Sequence, residues 1–235
     1  MKHLSIVVPV YNEGGAIKAV LDGIKESAQG IKLDVNVVYD FEGDSTIPVV
    51  KRLVASYKFR IRLIKNAYGR GALNAIKTGL EKADGDAVLV MMADLSDRAS
   101  DIPKMYGLIE GGYDVVCGSR YMRGGGQKTK MRFKKAMSVF IGLSLNYLTG
   151  IPTHDVTNNF KMYRKSIFKK IKIESTGGFE LATEITVKAY AFGMKITEIP
   201  TVWTDRTSGK SRFNLAGWAP KYFKWYIYAL AHRPG

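Results

Sequence analysis

The sequence predicts an α/β domain built on a doubly wound, mostly parallel sheet. Three observations point there. Strand-like and helix-like segments alternate through the first half of the chain. Several strand-like runs are uncharged and rich in β-branched residues, the pattern of parallel strands covered on both faces. The polar residues that matter follow the strands, where open α/β sheets bind ligands.

The elements follow in order. Leu4–Val10 reads as a buried strand with Pro9 at its end. Tyr11-Asn12-Glu13-Gly14-Gly15 is a loop, and Ala16–Ala28 has helical spacing through Ile17, Val20, Leu21 and Ile24. Val35–Tyr39 is a second strand, with a polar loop from Asp40 to Thr46. Pro48 suits the first turn of a helix reaching Tyr57. Ile61–Ile64 is a third strand. Gly69 and Gly71 open a helix to Lys82, and Ala87–Met92 is a central strand. A helix over Ile102–Glu110 and a strand over Val115–Cys117 close this half. Beyond them, Gly124–Lys135 reads as a glycine-rich, basic mobile loop. Helices are expected over Phe133–Leu148 and Phe179–Phe192, and a strand over Lys195–Pro200. The tail Trp218–Leu230 is dense in aromatics: Trp218, Tyr222, Phe223, Trp225, Tyr226 and Tyr228.

Charge narrows the function classes. Lys and Arg number 36 against 21 acidic residues, for a net +15 in 235 residues, an excess that needs an anionic partner. No nucleic-acid module is recognisable. No signal-peptide architecture precedes Leu4, and no apolar run reaches the ~18 residues of a membrane span. The expectation is a protein that lies peripherally on a membrane, at its cytoplasmic face. One cysteine, Cys117, excludes an internal disulfide framework and reads as a small buried hydrophobe.

Several constellations could carry chemistry. Asp94-Leu95-Ser96-Asp97 follows an apolar strand. Its oxygens suit Mg²⁺ or Mn²⁺ bound through a diphosphate, or else cap the next helix. Asp40-Phe41-Glu42-Gly43-Asp44 offers acceptors to a nucleobase or ribose, or forms a solvated turn. Gly69-Arg70-Gly71-Ala72-Leu73-Asn74 misses the third glycine of a dinucleotide fingerprint, which disfavours a nicotinamide enzyme. Arg120 and Arg123, five cations between Lys128 and Lys135, and the loop Arg206-Thr207-Ser208-Gly209-Lys210-Ser211-Arg212 form a basic series. That last loop suits closure over phosphates. His154 and Asp155 are adjacent, so on an extended chain they point oppositely. Glu180 and Glu184 lie one helical turn apart and either face an acceptor or line a polar helix face. The greasy segments Phe133–Leu148 and Trp218–Leu230 suit a membrane interface, or else buried helices or a dimer contact.

Together these residues resemble the family-2 glycosyltransferases of GT-A fold, in particular polyprenyl-phosphate sugar transferases. The matching pieces are Ser5 through Glu13, Gly69 to Asp86, Asp94–Asp97 with Asp101-Ile102-Pro103, Gly118-Ser119-Arg120-Tyr121, Asp155–Phe160 and the Arg206–Arg212 loop. The resemblance covers nearly the whole chain. It implies a nucleotide-diphosphate sugar donor, a divalent metal and inversion at the anomeric carbon. It assigns Pro9, Tyr11, Glu13, Asp40 and Asp94 to the donor nucleotide, and Asp94 with Asp97 to the metal. Arg120, Arg206, Lys210 and Arg212 go to donor or acceptor phosphates. The expected organisation is a catalytic domain over residues 1–212, nucleotide-binding to about 120 and acceptor-binding from about 121, with an interfacial tail over 213–235.

Two positions depart from the family pattern. Its Asp-X-Asp reads Met92-Ala93-Asp94, and its acidic pair after the second strand reads Tyr39-Asp40. For the reaction, a hydroxyl acceptor needs a general base, for which Asp155, Glu180 and Glu184 are the candidates, beside Arg120. A lipid phosphate is already anionic and needs only cations that bring two anions together. The chain is rich in cations and poor in an obvious base, which favours a polyprenyl phosphate. The alternatives are a saccharide or other hydroxyl acceptor, or a non-catalytic homologue that binds sugar nucleotide or membrane.

Overall fold

The computed structural model describes residues 3–129, 132–177, 180–205 and 215–233, apart from the side chains of 132–134 and 215–219. In chain order the elements are β1 (Leu4–Val10), α1 (Ile17–Ser27), β2 (Leu33–Tyr39), α2 (Thr46–Leu53), β3 (Arg60–Lys65), α3 (Ala72–Lys82), β4 (Ala87–Val90), α4 (Ile102–Glu110), β5 (Val115–Ser119), β6 (Gly126–Lys128), α5 (Arg132–Thr149), β7 (Lys161–Arg164), α6 (Leu181–Ala191), β8 (Ile196–Pro200), β9 (Val202–Thr204) and α7 (Leu215–Ala231). The main sheet has seven strands in the order β3-β2-β1-β4-β7-β5-β8. Every pairing in it is parallel except those of β7, which runs antiparallel between β4 and β5.

Strand periodicity builds the two faces. Leu4, Ile6 and Val8 of β1 pack with Ile17, Leu21 and Ile24 of α1 and Met105 and Ile109 of α4. Val7, between them, packs on the other face with Leu73, Ile76 and Leu80 of α3. Each such side chain contributes about 1.5–3 kcal/mol by leaving water. Gly79 lets α3 press onto the sheet: a Cβ there would stand 2.2 Å from Cγ1 of Val7. Cys117 is buried in this second layer, and its thiol is pushed up to about 11, chiefly by burial.

Three strands were not expected from the sequence. β7 is four residues long and carries Lys161 and Arg164 at its ends. β6 and β9 pair in parallel as a separate two-stranded sheet. The stretch expected as a mobile loop between Gly124 and Lys135 therefore contains a strand, and α5 already begins at Arg132.

The aromatic tail divides. Tyr222 and Trp225 are buried, at 9% and 1% exposure, whereas Phe223 is 62% exposed. Trp225 donates from Nε1 to Ser175 Oγ at 3.1 Å, and its ring lies under the ammonium groups of Lys188 and Lys224 at 4.8 and 4.5 Å. Part of the aromatic density is therefore core packing against α6. The exposed apolar side chains that remain on this side are Phe140, Leu143, Tyr147 and Leu148 of α5, with Phe223 and Ile227 of α7. Among the described residues, no helix is long and apolar enough to cross a membrane.

Candidate active site

The strand order reverses between β1 and β4, the position at which open α/β sheets hold ligands. Pairing of these strands stops at Val7↔Val90, while β1 continues beside β2 to Val10↔Tyr39. Pro9, which has no N–H to give a neighbour, lies in this unpaired stretch. This is where such sheets form their ligand crevice, and the loops after β1, β2, β4 and β5 leave the sheet at this end.

On the β1–β2 side, the loops are bonded to one another. Asp44 is buried and accepts the N–H of Asn12 at 3.0 Å and that of Thr46 at 2.8 Å. Asn12 Oδ1 accepts the Ser45 N–H, and Thr46 Oγ1 accepts that of Glu13. This clamp holds Asn12 at φ 57°, the left-handed region, which Asn tolerates better than most residues. Tyr11 packs against Phe41 with ring centroids 5.4 Å apart, and the Arg70 guanidinium lies 5.3 Å from the Phe41 centroid. Asp40 is half-buried. Its two oxygens accept Asn66 Nδ2 at 2.8 Å and the Gly71 N–H at 2.9 Å, so the carboxylate also latches the loop before α3.

After β4 the chain turns sharply through Leu95 at φ 62°, and Asp94 Oδ1 accepts the Ser96 N–H at 3.1 Å. Asp94 is half-buried. Asp97 turns inward and accepts the Met92 N–H at 2.8 Å. Burial pushes its carboxyl up to about 7, with the charges of Asp94 and Asp101 adding to the rise. Through its bond to Met92, Asp97 supports the turn that presents Asp94. Among the described residues, no three His, Cys, Asp or Glu side chains converge to hold an ion. The arrangement fits a cation held by Asp94 and by substrate phosphate oxygens, since Mg²⁺ commonly takes only one or two carboxylates.

The β5–β7 side is built on buried charge. Arg120, at the end of β5, grips Asp155 in a two-pronged pair, Nε to Oδ2 at 2.6 Å and Nη2 to Oδ1 at 2.9 Å. The Arg120 N–H also reaches Asp155 Oδ2 at 3.1 Å, and Nη2 donates to Thr157 Oγ1 at 2.8 Å. Behind them, the fully buried Lys161 of β7 donates to the carbonyls of Asp155 and Val156 at 3.1 Å each, and to that of Asn158. Burial pushes the Asp155 carboxyl up, but Arg120 outweighs it and the net shift is down. Burial likewise lowers the Lys161 ammonium. An ionised carboxylate with donors on both oxygens has little basicity to offer, so Asp155 is withdrawn as a base and stands as the positioner of Arg120.

Glu180 and Glu184, one helical turn apart, have different surroundings. Glu184 accepts the N–H groups of Glu174 and Ser175 at 2.6 and 2.8 Å and pairs with Lys188 at 2.7 Å. It is fully committed to the segment before α6, which removes it as a base. Glu180 is buried; Oε1 accepts the Gly177 N–H at 3.3 Å, and Oε2 has no partner among the described residues. Burial raises its carboxyl above the usual range. His154 donates its N–H to Glu198 Oε2 at 2.8 Å and its ring meets Oε1 at 2.5 Å, a contact outside the crevice chemistry. Arg206, Lys210 and Arg212 lie outside the described residues. Sequence reading missed Lys161 and Thr157; the one signal was a lysine inside the apolar run Phe160-Lys161-Met162-Tyr163.

The chain is similar to known proteins. The family described as glycosyl transferase family 2 matches residues 5–172. A dolichol-phosphate mannosyltransferase of Pyrococcus furiosus is 28% identical over 89% of this chain and 58% of its own length. An undecaprenyl-phosphate 4-deoxy-4-formamido-L-arabinose transferase of Pseudomonas fluorescens is 28% identical over 90% of this chain and 60% of its own. A polyprenol monophosphomannose synthase of Mycolicibacterium smegmatis is 24% identical over 89% and 80%. The chain thus spans about three-fifths of the length of the first two relatives. Among solved structures, glucosyl-3-phosphoglycerate synthase from Mycobacterium tuberculosis, in complex with Mn²⁺, UDP and glucosyl-3-phosphoglycerate, superposes with a TM-score of 0.73. That match covers 100% of this chain and 81% of the other at 13% identity, which establishes the GT-A fold.

Proposed function

The chain belongs to glycosyl transferase family 2, and from that premise we propose that it moves a sugar, with inversion, from a nucleotide-diphosphate donor to a polyprenyl phosphate. The observation that carries the reading is the buried Arg120–Asp155 ion pair with the Lys161 ammonium behind it, held on the backbone carbonyls of Asp155, Val156 and Asn158. The surplus positive charge sits beside the crevice, where it favours the approach of an anionic acceptor to an anionic donor. The relatives named for dolichol-, polyprenol- and undecaprenyl-phosphate support the same acceptor class.

In this reading Pro9, Tyr11, Glu13 and Asp40 line the nucleoside pocket, with Phe41 as a ring platform. Asp94 and the donor's phosphate oxygens hold Mg²⁺ or Mn²⁺, the ions of the structural neighbours. Such an ion supplies neutralisation of the charge that develops on the leaving diphosphate. Arg120 orients phosphate oxygens through a guanidinium that Asp155 and Thr157 hold in place. Arg206, Lys210 and Arg212 add phosphate contacts from outside the described residues. The exposed side chains of Phe140, Tyr147 and Phe223 rest on the cytoplasmic face of the membrane, where a polyprenyl chain is anchored. The same reading takes residues 1–212 as the catalytic domain and 213–235 as an interfacial tail. A second reading, transfer to a hydroxyl, is favoured by Glu180, whose unpaired Oε2 suits a general base.

A donor panel tests this. Purified protein is mixed with Mg²⁺ or Mn²⁺, a short polyprenyl phosphate, and UDP-, GDP- or dTDP-sugars. The readouts are released nucleotide diphosphate and glycolipid. Metal-dependent glycolipid formation that falls steeply in Arg120→Lys supports the reading. Transfer to hydroxyl acceptors alone favours Glu180 as base, and donor binding without turnover overturns both.

A further inference from the structure

Of the aromatic residues on α7, Tyr222 turns inward and is 9% exposed. Its helix is pinned from several directions. Lys221 Nζ donates to the Gly177 carbonyl at 3.3 Å, Trp225 Nε1 to Ser175 Oγ at 3.1 Å, and Tyr226 to Ser144 Oγ of α5 at 3.0 Å. Gly177 in turn gives its N–H to Glu180 Oε1 at 3.3 Å. The middle of α7, the segment 174–177 and the start of α6 are therefore one hydrogen-bonded block.

Within this block Glu180 keeps one carboxyl oxygen, Oε2, buried and without a donor among the described residues. A native fold retains such an atom only with an explanation, and a ligand group is one. Tyr222 stands in the same place. Burial first, then the Glu180 charge, pushes its phenol upward, and Arg120, Asp155 and Tyr121 all act on it as well. Glu180, at the start of α6, and Arg120 and Asp155, after β5 and before β7, are thus charged groups whose fields reach the hydroxyl that α7 brings in.

We propose that Tyr222 is an acceptor-positioning residue: its hydroxyl, Glu180 Oε2 and Arg120 face one subsite for the acceptor's head group, and α7 completes that subsite. The hydroxyl donates to an acceptor oxygen, while Glu180 Oε2 accepts from a P–OH or C–OH group. The inference rests on the glycosyl-transfer reading above. It makes the aromatic tail part of the active site as well as a membrane-facing element.

Steady-state kinetics on the full chain, with a short isoprenyl phosphate as acceptor, test it. Tyr222→Phe removes only the hydroxyl. The expected result is an acceptor KM raised about tenfold, the effect of losing one hydrogen bond to a charged group, with donor KM and Tm unchanged. An unchanged acceptor KM, or an equal rise in both KM values, overturns the assignment and leaves Tyr222 a packing residue. If the wild type uses a hydroxyl acceptor and no isoprenyl phosphate, the acceptor class proposed above fails, and the same pair of KM values with that acceptor decides Tyr222. A wild type that transfers to neither overturns both.

Discussion

The two halves of the crevice use carboxylates in opposite ways. On the β1–β2 side, Asp40 and Asp44 spend their oxygens on neutral donors: the N–H groups of Asn12, Thr46 and Gly71, and the amide of Asn66. These bonds shape loops, and each loop takes its form from several small contributions. On the β5–β7 side, one buried carboxylate is gripped by an arginine, with a buried lysine bonded to its backbone carbonyl behind it, and another is buried with an oxygen unpaired among the described residues. Charge there is expensive to hold, because desolvation is repaid only while each partner is present. The β1–β2 side is thus a set of fixed turns, and the β5–β7 side a balance of buried charges.

The largest expected effect breaks that balance. Asp155→Ala leaves the Arg120 guanidinium buried without its carboxylate partner, with the buried Lys161 ammonium behind it, and should cost about 3–5 kcal/mol of stability, read by urea unfolding. A loss below about 1 kcal/mol would show that water reaches the pair, and the contrast between the halves would fail. The matching change on the other side is Asp44→Ala. It frees the N–H groups of Asn12 and Thr46 and removes a cap before α2, for about 1–2 kcal/mol. Its more specific readout is nucleotide affinity, which should weaken as the loop after β1 loses its left-handed turn at Asn12. Unchanged nucleotide binding would mean that the clamp serves the fold alone.

The same contrast governs what the sequence made legible. The loop clamp follows from local order: strands that end, polar residues that follow, and Asx-type bonds within a few positions. Asp40, Asp44 and Asp94 could therefore be read as site loops directly. The charge cluster could not, because Arg120 and Asp155 are 35 positions apart and meet only when β7 folds back between β4 and β5. That strand is four residues long, and its first residue is a lysine, which conflicts with the apolar pattern of a central strand. Lys161 breaks the pattern because it is part of the charge balance. The spacing of Glu180 and Glu184 placed both on one helix, yet only tertiary contacts decide that Glu184 ties down residues 174–175 while Glu180 keeps an oxygen open. The tail misled in a similar way. Its aromatics read as one interfacial set, but Trp225 belongs to the core because Ser175, Lys188 and Lys224 receive it.

The smallest expected effect sharpens the contrast most finely. Glu180 is an acid whose native pKa is raised, first by burial. The native state therefore keeps its proton to higher pH than the unfolded chain does. Between the ordinary carboxylate value near 4.5 and the raised native one, folding takes up a proton, so stability falls as pH rises through that window. Glu180→Gln, neutral throughout, should remove this fall: urea midpoints of variant and wild type should nearly coincide at the acid end and separate in the variant's favour toward neutral pH. With a hydroxyl acceptor the same variant should also lose transfer, since an amide cannot take a proton from it, whereas transfer to a lipid phosphate needs no such base. A gain in stability with a loss of activity is the mark of a group kept for chemistry at a cost to the fold. Parallel stability curves for the two proteins would instead mean that the carboxyl is ionised at no cost, and that the β5–β7 side holds its charge as easily as the β1–β2 side does.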